Sequence, residues 1–256
     1  MEDRNIDTGV GSMLEIAIDQ IIRGAGLGLA RGAAGIGKTF ALQRIMSEVE
    51  AVGVTVVFIT ASRPIGGSIS AFARAVINQY GMEASSTSDA VEALADLLKG
   101  DPFSGFGRSV IFIVDEAQDL MPAVLETLRS LYDRGQMARL GLSVGHAFGL
   151  LLVGNDSFLG KGGSQRIASF RPLLSRVSHN IALLRPSAAE VASFAAVLFP
   201  DDAPAQAELR ALGEAQGNLR SLEVAARQAK LATEGVGHKG GMVAFVKDAI
   251  RMMGVK

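Results

Sequence analysis

"RGAAGIGKTF", residues 31–40, decides the fold class of this 256-residue chain, because it contains the spacing G-x-x-x-x-G-K-T. A glycine-rich loop of this kind turns consecutive backbone N–H groups toward phosphate oxygens, and the following helix adds its positive N-terminal end. In this pattern the lysine reaches the β- and γ-phosphates, and the threonine hydroxyl holds Mg²⁺. The loop therefore predicts a bound nucleoside triphosphate. The predicted cofactor-binding residues here are Gly32, Gly35, Ile36, Gly37, Lys38, Thr39 and Phe40.

Segments typical of strands alternate with segments typical of helices around this loop. The apolar, partly β-branched runs are bounded by glycine or charged residues, as in strands buried on both faces of a parallel sheet. The predicted strands are 26–32, 54–60, 109–114, 148–155 and 179–184, and the predicted helices are 38–50, 69–80, 90–98 and 117–134. This alternation predicts an α/β fold, a parallel sheet flanked by helices.

The pattern changes after Arg185. Pro186 is followed by Ser187 and Glu190, which have the spacing of a capping box, and the remaining chain reads as helix or turn. We therefore expect an N-terminal helical segment at 1–25, a nucleotide-binding α/β domain at 26–186 and a small helical lid domain at 187–256.

The composition excludes several kinds of site. Without cysteine the chain has no disulfide, thiolate nucleophile or Cys-ligated zinc, and its three histidines are far apart. The longest apolar runs are strand-sized, far below the roughly 18 residues that span a bilayer. The N-terminus has early acidic residues and no long apolar core, so we expect a cytoplasmic protein without a membrane segment. A net charge of −1 argues against general attraction to nucleic acid, although it can hide a local basic patch.

Polar side chains follow two of the predicted strands. Asp115 and Glu116 follow the run "IFIV", where a parallel strand presents ligand-binding groups. Asp115 is suited to hold Mg²⁺ through water, and Glu116 to orient or deprotonate an attacking water. Asn155 ends "LLLVGN", where it could bridge the γ-phosphate and that water. Taken alone, such a carboxylate pair is more often a helix N-terminal charge pair, and asparagine after glycine is more often a turn residue.

Two basic features follow. Residues 157–180 carry Lys161, Arg166, Arg171 and Arg176 and no carboxylate, which is suited to an arginine that stabilises phosphate charge on a neighbouring subunit. Arg176 is the first choice for such an arginine finger, and Arg166 and Arg171 are second. The alternative is that this segment is a solvated basic helix. Arg220 lies in the first turn of a predicted helix, where the helix dipole disfavours a cation, so it has either a separate role or a surface salt bridge.

Together, "GAAGIGKT", "VIFIVDEAQDL", "LLLVGN", "GGSQR", "FRPLLSRV" and "GNLRSLEVAAR" resemble the AAA+ ATPases of DNA transposition, the family of the phage Mu B target-capture and TniB-like proteins. The resemblance covers about residues 26–232. It implies a P-loop AAA+ fold, ATP and Mg²⁺ as cofactors, and a homo-oligomer, filament or ring, on double-stranded DNA with little sequence preference. It also implies that the protein delivers this DNA to a transposase, activates it, and disassembles when ATP is hydrolysed. Asn155 would be sensor 1, Arg176 the finger and Arg220 sensor 2.

In these relatives DNA lies against loops that follow the second strand. The corresponding segment, "TASRPIGGSISAFAR" at 60–74, carries arginine and serine without a carboxylate, which suits phosphate contact. The predicted DNA contacts are Arg63, Ser68, Arg74 and Lys161, against the alternative of an ordinary surface loop. Two other functions stay open at this point: a secretion or signalling ATPase related to the ExeA group, and a nucleotide-dependent scaffold without turnover.

Overall fold

A computed structural model describes residues 8–99, 109–140, 147–155, 171–235 and 241–254. These residues form a five-stranded parallel sheet with the strand order β2-β3-β4-β1-β5. The strands are β1 Leu27–Arg31, β2 Thr55–Thr60, β3 Val110–Asp115, β4 Gly149–Gly154 and β5 His179–Ala182. The predicted parallel sheet is confirmed, and β4 lies between the strand that leads into the glycine loop and the strand that ends in Asp115.

Helices connect the strands and make up the described chain after β5. They are α1 Gly9–Gly24, α2 Lys38–Ala51, α3 Arg63–Gly66, α4 Ile69–Asn78, α5 Thr87–Leu97, α6 Pro122–Arg139, α7 Ala188–Leu198, α8 Ala203–Gln216, α9 Arg220–Gly235 and α10 Met242–Met252. The predicted helix 117–134 is wrong at its start, because Ala117–Asp119 is a separate 3₁₀ turn and Met121 is extended. Proline at the first position of α6 then starts the α-helix.

The sheet is buried at its centre. Every residue of β3 and β4 is buried, as continuous apolar runs in a parallel sheet predict. Phe112, Leu150 and Leu152 belong to one apolar cluster with residues of α4, α5 and α6. Each such side chain contributes about 1.5–3 kcal/mol when fully buried, and this cluster therefore fixes the sheet whose carboxyl edge carries the polar residues.

Two strand glycines let α1 approach the sheet. A Cβ added at Gly28 would lie 2.3 Å from Cδ1 of Ile21, and one added at Gly149 would lie 2.7 Å from Cγ2 of the same residue. A real Cβ would therefore collide with Ile21, which is fully buried. Gly28 of β1 is therefore required by the packing of α1 against the sheet.

Contacts divide the described chain into two compact units. One comprises 13–32 with the described parts of 42–182, and the other comprises 8–12, 33–41 and the described parts of 183–254. The second unit has its own apolar core, to which α7, α8, α9 and α10 contribute Val191, Leu209, Leu222 and Val246. The glycine loop is therefore grouped with the C-terminal helices.

The capping box predicted from Ser187 and Glu190 is confirmed. Ser187 Oγ accepts from Glu190 N–H, and the Glu190 carboxylate accepts from Ser187 N–H. Glu190 Oε1 also accepts from Gly9 N–H at 2.6 Å, which joins the start of α1 to the start of α7. Partial burial raises the pKa of Glu190, but the hydrogen bonds from Ser187 and Gly9 outweigh it and the net pKa is lowered.

Candidate nucleotide site

The glycine loop has the backbone geometry that phosphate binding needs. Gly35 and Gly37 have φ of +79° and +96°, in the left-handed region where glycine is favoured. The side chain of Ile36 between them is only 1% exposed, so this predicted cofactor residue can face a ligand only through its backbone. The N–H of Gly32, in contrast, donates to Gly154 O at 3.2 Å and continues the hydrogen bonding between β1 and β4.

The first turn of α2 presents the predicted lysine and threonine. Lys38 is only 6% exposed, and its Nζ donates to Ala33 O, inside the loop, at 2.8 Å. Thr39 and Phe40 are exposed, Phe40 by 54%. The loop thus ends at a helix N-terminus, where Thr39 is exposed and the amine of Lys38 donates to the loop backbone.

The first turn of α9 is hydrogen-bonded to the glycine loop. Leu219 N–H and Arg220 N–H donate to Gly35 O at 3.0 and 3.2 Å. A Cβ added at Gly35 would lie 3.3 Å from Cβ of Arg220, whose side chain is exposed. The structure therefore brings the predicted sensor 2 arginine to the loop.

Gly217 and Asn218 form a turn and a cap before α9. Gly217 ends α8 with φ of +63°, and Asn218 Oδ1 accepts from Ser221 N–H at 2.9 Å. This cap satisfies one of the open N–H groups at the start of α9, while Gly35 O accepts from two others. The local sequence "GNLRS" therefore holds Arg220 at a helix start beside the loop.

The carboxylate pair lies at the carboxyl end of β3. Asp115 is fully buried, and its Oδ1 accepts from Glu116 N–H at 2.9 Å. Glu116 is half-buried and has φ of +53°, in the left-handed region that non-glycine residues rarely adopt. Such a conformation costs on the order of 1–3 kcal/mol and occurs most often at functional sites.

A residue that the sequence analysis did not assign, Gln118, links this pair to Asn155. Gln118 Nε2 donates to Glu116 Oε2, and its Oε1 accepts from Asn155 N–H at 3.1 Å. Glu116 and Asn155, which were predicted separately, are thus joined through one amide. Nothing in the local sequence marked Gln118, because its partner Asn155 lies 37 positions later in the chain.

The predicted finger is held within its own chain. Arg176 Nε donates to Asp133 of α6, and its Nη1 donates to Pro172 O at 2.5 Å and Ser175 Oγ at 3.1 Å. Arg171 is exposed and is one of the helical residues 171–174. Arg166, the other alternative for the finger, and Lys161, which is predicted to contact DNA, lie outside the described residues.

Much of the segment 60–74 is helical: α4 begins where a helix was predicted, and the loop expected before it contains the short helix α3. Pro64 lies in the first turn of α3, and Ser68 caps α4 by accepting from Ala71 N–H at 3.1 Å. Arg74 donates to Ala84 O, and to Ser85 O at 3.1 Å, so its guanidinium binds backbone carbonyls of the next turn. Arg63, in contrast, is exposed.

Two residues predicted to hold Mg²⁺ carry oxygen groups that suit this ion. Asp115 has a carboxylate and Thr39 has a hydroxyl, and Mg²⁺ prefers hard oxygen ligands. Within the described residues no group of three or more His, Asp or Glu side chains could hold a metal. Mg²⁺ usually keeps several waters and is held by one or two protein groups together with substrate phosphates.

Part of the chain matches a known protein family. The AAA domain family matches residues 21–161, more than half of the chain, and this stretch includes the glycine loop, both carboxylates and Asn155. No curated protein matches the sequence. In the described part of the chain, no helix combines the length and apolar character needed to cross a membrane.

Solved structures with a similar fold include one protein in complex with nucleotides and one in complex with DNA. The Aeropyrum pernix ORC2 protein, in ADPNP–ADP complexes, is 20% identical with a TM-score of 0.67, over 98% of this chain and 68% of that chain. The Aeropyrum pernix ORC1 protein in complex with DNA is 15% identical with a TM-score of 0.62, over 99% and 68%. A RuvB mutant of Thermotoga maritima is 15% identical with a TM-score of 0.57, over 98% and 72%. Identities this low show likeness of fold alone.

Proposed function

Because the chain belongs to the AAA domain family and has the P-loop AAA+ fold, we propose that it hydrolyses ATP and uses the bound nucleotide to assemble on double-stranded DNA. The observation that carries the proposal is the sheet order. β4 lies between β1 and β3, so Asn155 follows the strand between the one entering the glycine loop and the one ending in Asp115. This order favours a hydrolysing P-loop ATPase.

In the proposed reaction, the phosphates of ATP accept hydrogen bonds from the backbone of Gly35–Gly37 and from Lys38. Thr39 and Asp115 would hold Mg²⁺, which would neutralise phosphate charge. Glu116 takes a proton from the water that attacks the γ-phosphorus, and the bond to the β–γ bridging oxygen breaks to give ADP and phosphate.

The other site residues act on phosphate and water. Asn155 orients the attacking water, and Arg220 approaches the phosphates from α9. Phe40 is an exposed aromatic side chain one residue beyond Thr39 and is available to the nucleotide.

We propose that the chain is divided into an N-terminal helical segment at 1–25, a nucleotide-binding domain at 26–186 and a helical lid domain at 187–256.

The DNA-binding part of the proposal rests on three observations. The first is the resemblance to the AAA+ ATPases of DNA transposition. The second is the likeness of fold to a protein solved in complex with DNA. The third is Arg63, an exposed arginine in the short helix after β2. With so few cations per subunit, useful affinity has to come from many subunits bound side by side.

The cellular role follows from the same resemblance. We propose that the assembled protein, in the cytoplasm of a bacterial host, presents target DNA to a transposase, activates it, and leaves the DNA when ATP is hydrolysed. The subunits form a homo-oligomer, a filament or a ring, in which an arginine of one subunit completes the site of the next.

We expect purified protein to form filaments or rings on duplex DNA with ATP, and not with ADP or without nucleotide. Negative-stain electron microscopy and an ATPase assay with and without DNA measure the two halves of the proposal. DNA binding that is equal in all three nucleotide conditions would contradict it. Assembly without any ATP hydrolysis would indicate a scaffold. A rate of ATP hydrolysis that is the same with and without DNA would favour the ExeA-like alternative.

We expect Arg176→Ala to lower turnover by about a thousandfold, the lower limit measured for arginine fingers. Mixing this variant with Glu116→Gln subunits should restore part of the activity, because the second variant supplies an intact arginine to the first variant's intact site. Turnover of the mixture, compared with each variant alone, is the measurement.

Arg171→Ala is the matched comparison for this prediction, since Arg171 is exposed and close in sequence. If only the Arg171 variant loses activity and is restored by mixing, Arg171 is the finger and Arg176 serves its ion pair with Asp133. If neither mixture recovers, no arginine in this described segment acts across subunits.

A further inference from the structure

We propose that Gln118 is a positioning residue that fixes the carboxylate of Glu116 to the end of β4. The inference rests on the proposed ATPase activity and adds a residue to its site. Both ends of the Gln118 amide are used: Nε2 donates to Glu116 Oε2, and Oε1 accepts from Asn155 N–H at 3.1 Å. The two partners fix the amide's orientation, because a carboxylate only accepts and a backbone N–H only donates.

The turn that carries Gln118 is anchored. Asp119 N–H donates to Glu116 O at 2.9 Å, and Leu120 N–H donates to Ala117 O at 3.2 Å. Ala117 and Leu120 are fully buried, so the 3₁₀ turn is tied to the core on both sides of Gln118. Gln118 is therefore a side chain on a fixed support rather than on a mobile loop.

Glu116 is thereby held from two directions. Its N–H donates to Asp115 Oδ1 at 2.9 Å, and its carboxylate accepts from Gln118. The left-handed backbone of Glu116 persists because its surroundings determine it, and the amide determines where the carboxylate points. A general base needs this kind of restraint, because a displacement of about 1 Å can cost about a hundredfold in rate.

Glutamine suits this position for a chemical reason. The position needs one donor for a carboxylate and one acceptor for a backbone N–H, and glutamine has both. Glutamate would place a second carboxylate beside Glu116, and methionine of similar length would fill the space without either hydrogen bond. The interaction also connects Glu116 with the end of β4 that carries Asn155. The two residues proposed to act on water are therefore linked through one side chain.

The test compares Gln118→Ala and Gln118→Met with the wild-type protein and with Gln79→Ala, an exposed glutamine at the end of α4 whose amide donates to Ala75 O. We expect kcat for ATP to fall about 10- to 100-fold in both Gln118 variants, while KM and nucleotide affinity change less than twofold. The control variant should behave as wild type. The methionine variant keeps the volume of the side chain, and thermal melting checks that both variants fold.

A double-mutant cycle with Glu116→Gln separates positioning from a structural role. In that background, removal of the Gln118 amide should cause no further loss in single-turnover rate, because there is no carboxylate left to position. An unchanged kcat, an effect on KM alone, or additive losses in the double variant would overturn the inference. Absence of wild-type turnover would instead overturn the proposed function itself, and this inference with it.

Discussion

Replacing Lys38 with alanine is expected to weaken ATP binding by about a hundredfold and to abolish assembly on DNA. A hydrogen bond to a charged group contributes about 1.5–3 kcal/mol, and in this pattern one ammonium reaches two phosphates. The amine starts from a good position, because Lys38 heads α2 and its Nζ lies over the loop at 2.8 Å from Ala33 O. Calorimetric titration with ATP and electron microscopy with DNA measure the two effects.

The buried stem of Lys38 calls for a second variant. Since the residue is only 6% exposed, alanine leaves a cavity as well as removing a charge. Lys38→Met keeps most of the stem and should lose ATP binding to the same extent with a smaller loss of stability. Lys99→Ala is the matched control, because Lys99 is a solvent-accessible lysine paired with Asp96.

The expected loss of assembly is larger than the loss of binding by one subunit. If nucleotide joins neighbouring subunits, many weak DNA contacts add only while the subunits are joined. A protein of net charge −1 has little general affinity for DNA to replace them. A Lys38 variant that loses ATP binding and still forms filaments would show that the nucleotide does not join the subunits.

The sheet was predictable from sequence because its strands are short apolar runs with clear limits. β3 and β4 are buried at every position, so their residues form continuous apolar runs, and the polar residues Asp115 and Asn155 mark where those runs stop. The start of α7 was predictable for a similar reason, because a capping box is a local interaction between Ser187 and Glu190. Signals of this kind need no knowledge of tertiary contacts.

The residues that sequence reasoning missed depend on contacts distant along the chain. Gln118 is joined to Asn155, 37 positions later, and nothing local distinguishes it from a surface glutamine. Arg74 was assigned to DNA, yet its guanidinium binds the carbonyls of Ala84 and Ser85, beyond the end of its helix. The 3₁₀ turn before α6 was missed because its residues are equally suited to an α-helix, and the left-handed backbone of Glu116 is set by its surroundings.

The second large effect is expected from Glu116→Gln, which should lower kcat by about 10²- to 10⁴-fold, the contribution of a positioned general base. The variant keeps the size of the side chain and removes its ability to take a proton. The glycine loop, Lys38 and Asp115 are untouched, so ATP binding should stay within a few fold of wild type. Single-turnover hydrolysis and ATP titration measure the two quantities.

The same variant should hold the protein on DNA. If hydrolysis ends the assembly, a subunit that binds ATP and cannot cleave it stays joined to its neighbours, and filaments formed with ATP should outlast those of wild type. Glu83→Gln, at an exposed glutamate, is the matched control and should disassemble as wild type does. Filaments of equal lifetime for the Glu116 variant and wild type would show that hydrolysis does not cause disassembly. Loss of assembly would instead assign Glu116 to nucleotide binding, because nucleotide binding alone is needed to join the subunits.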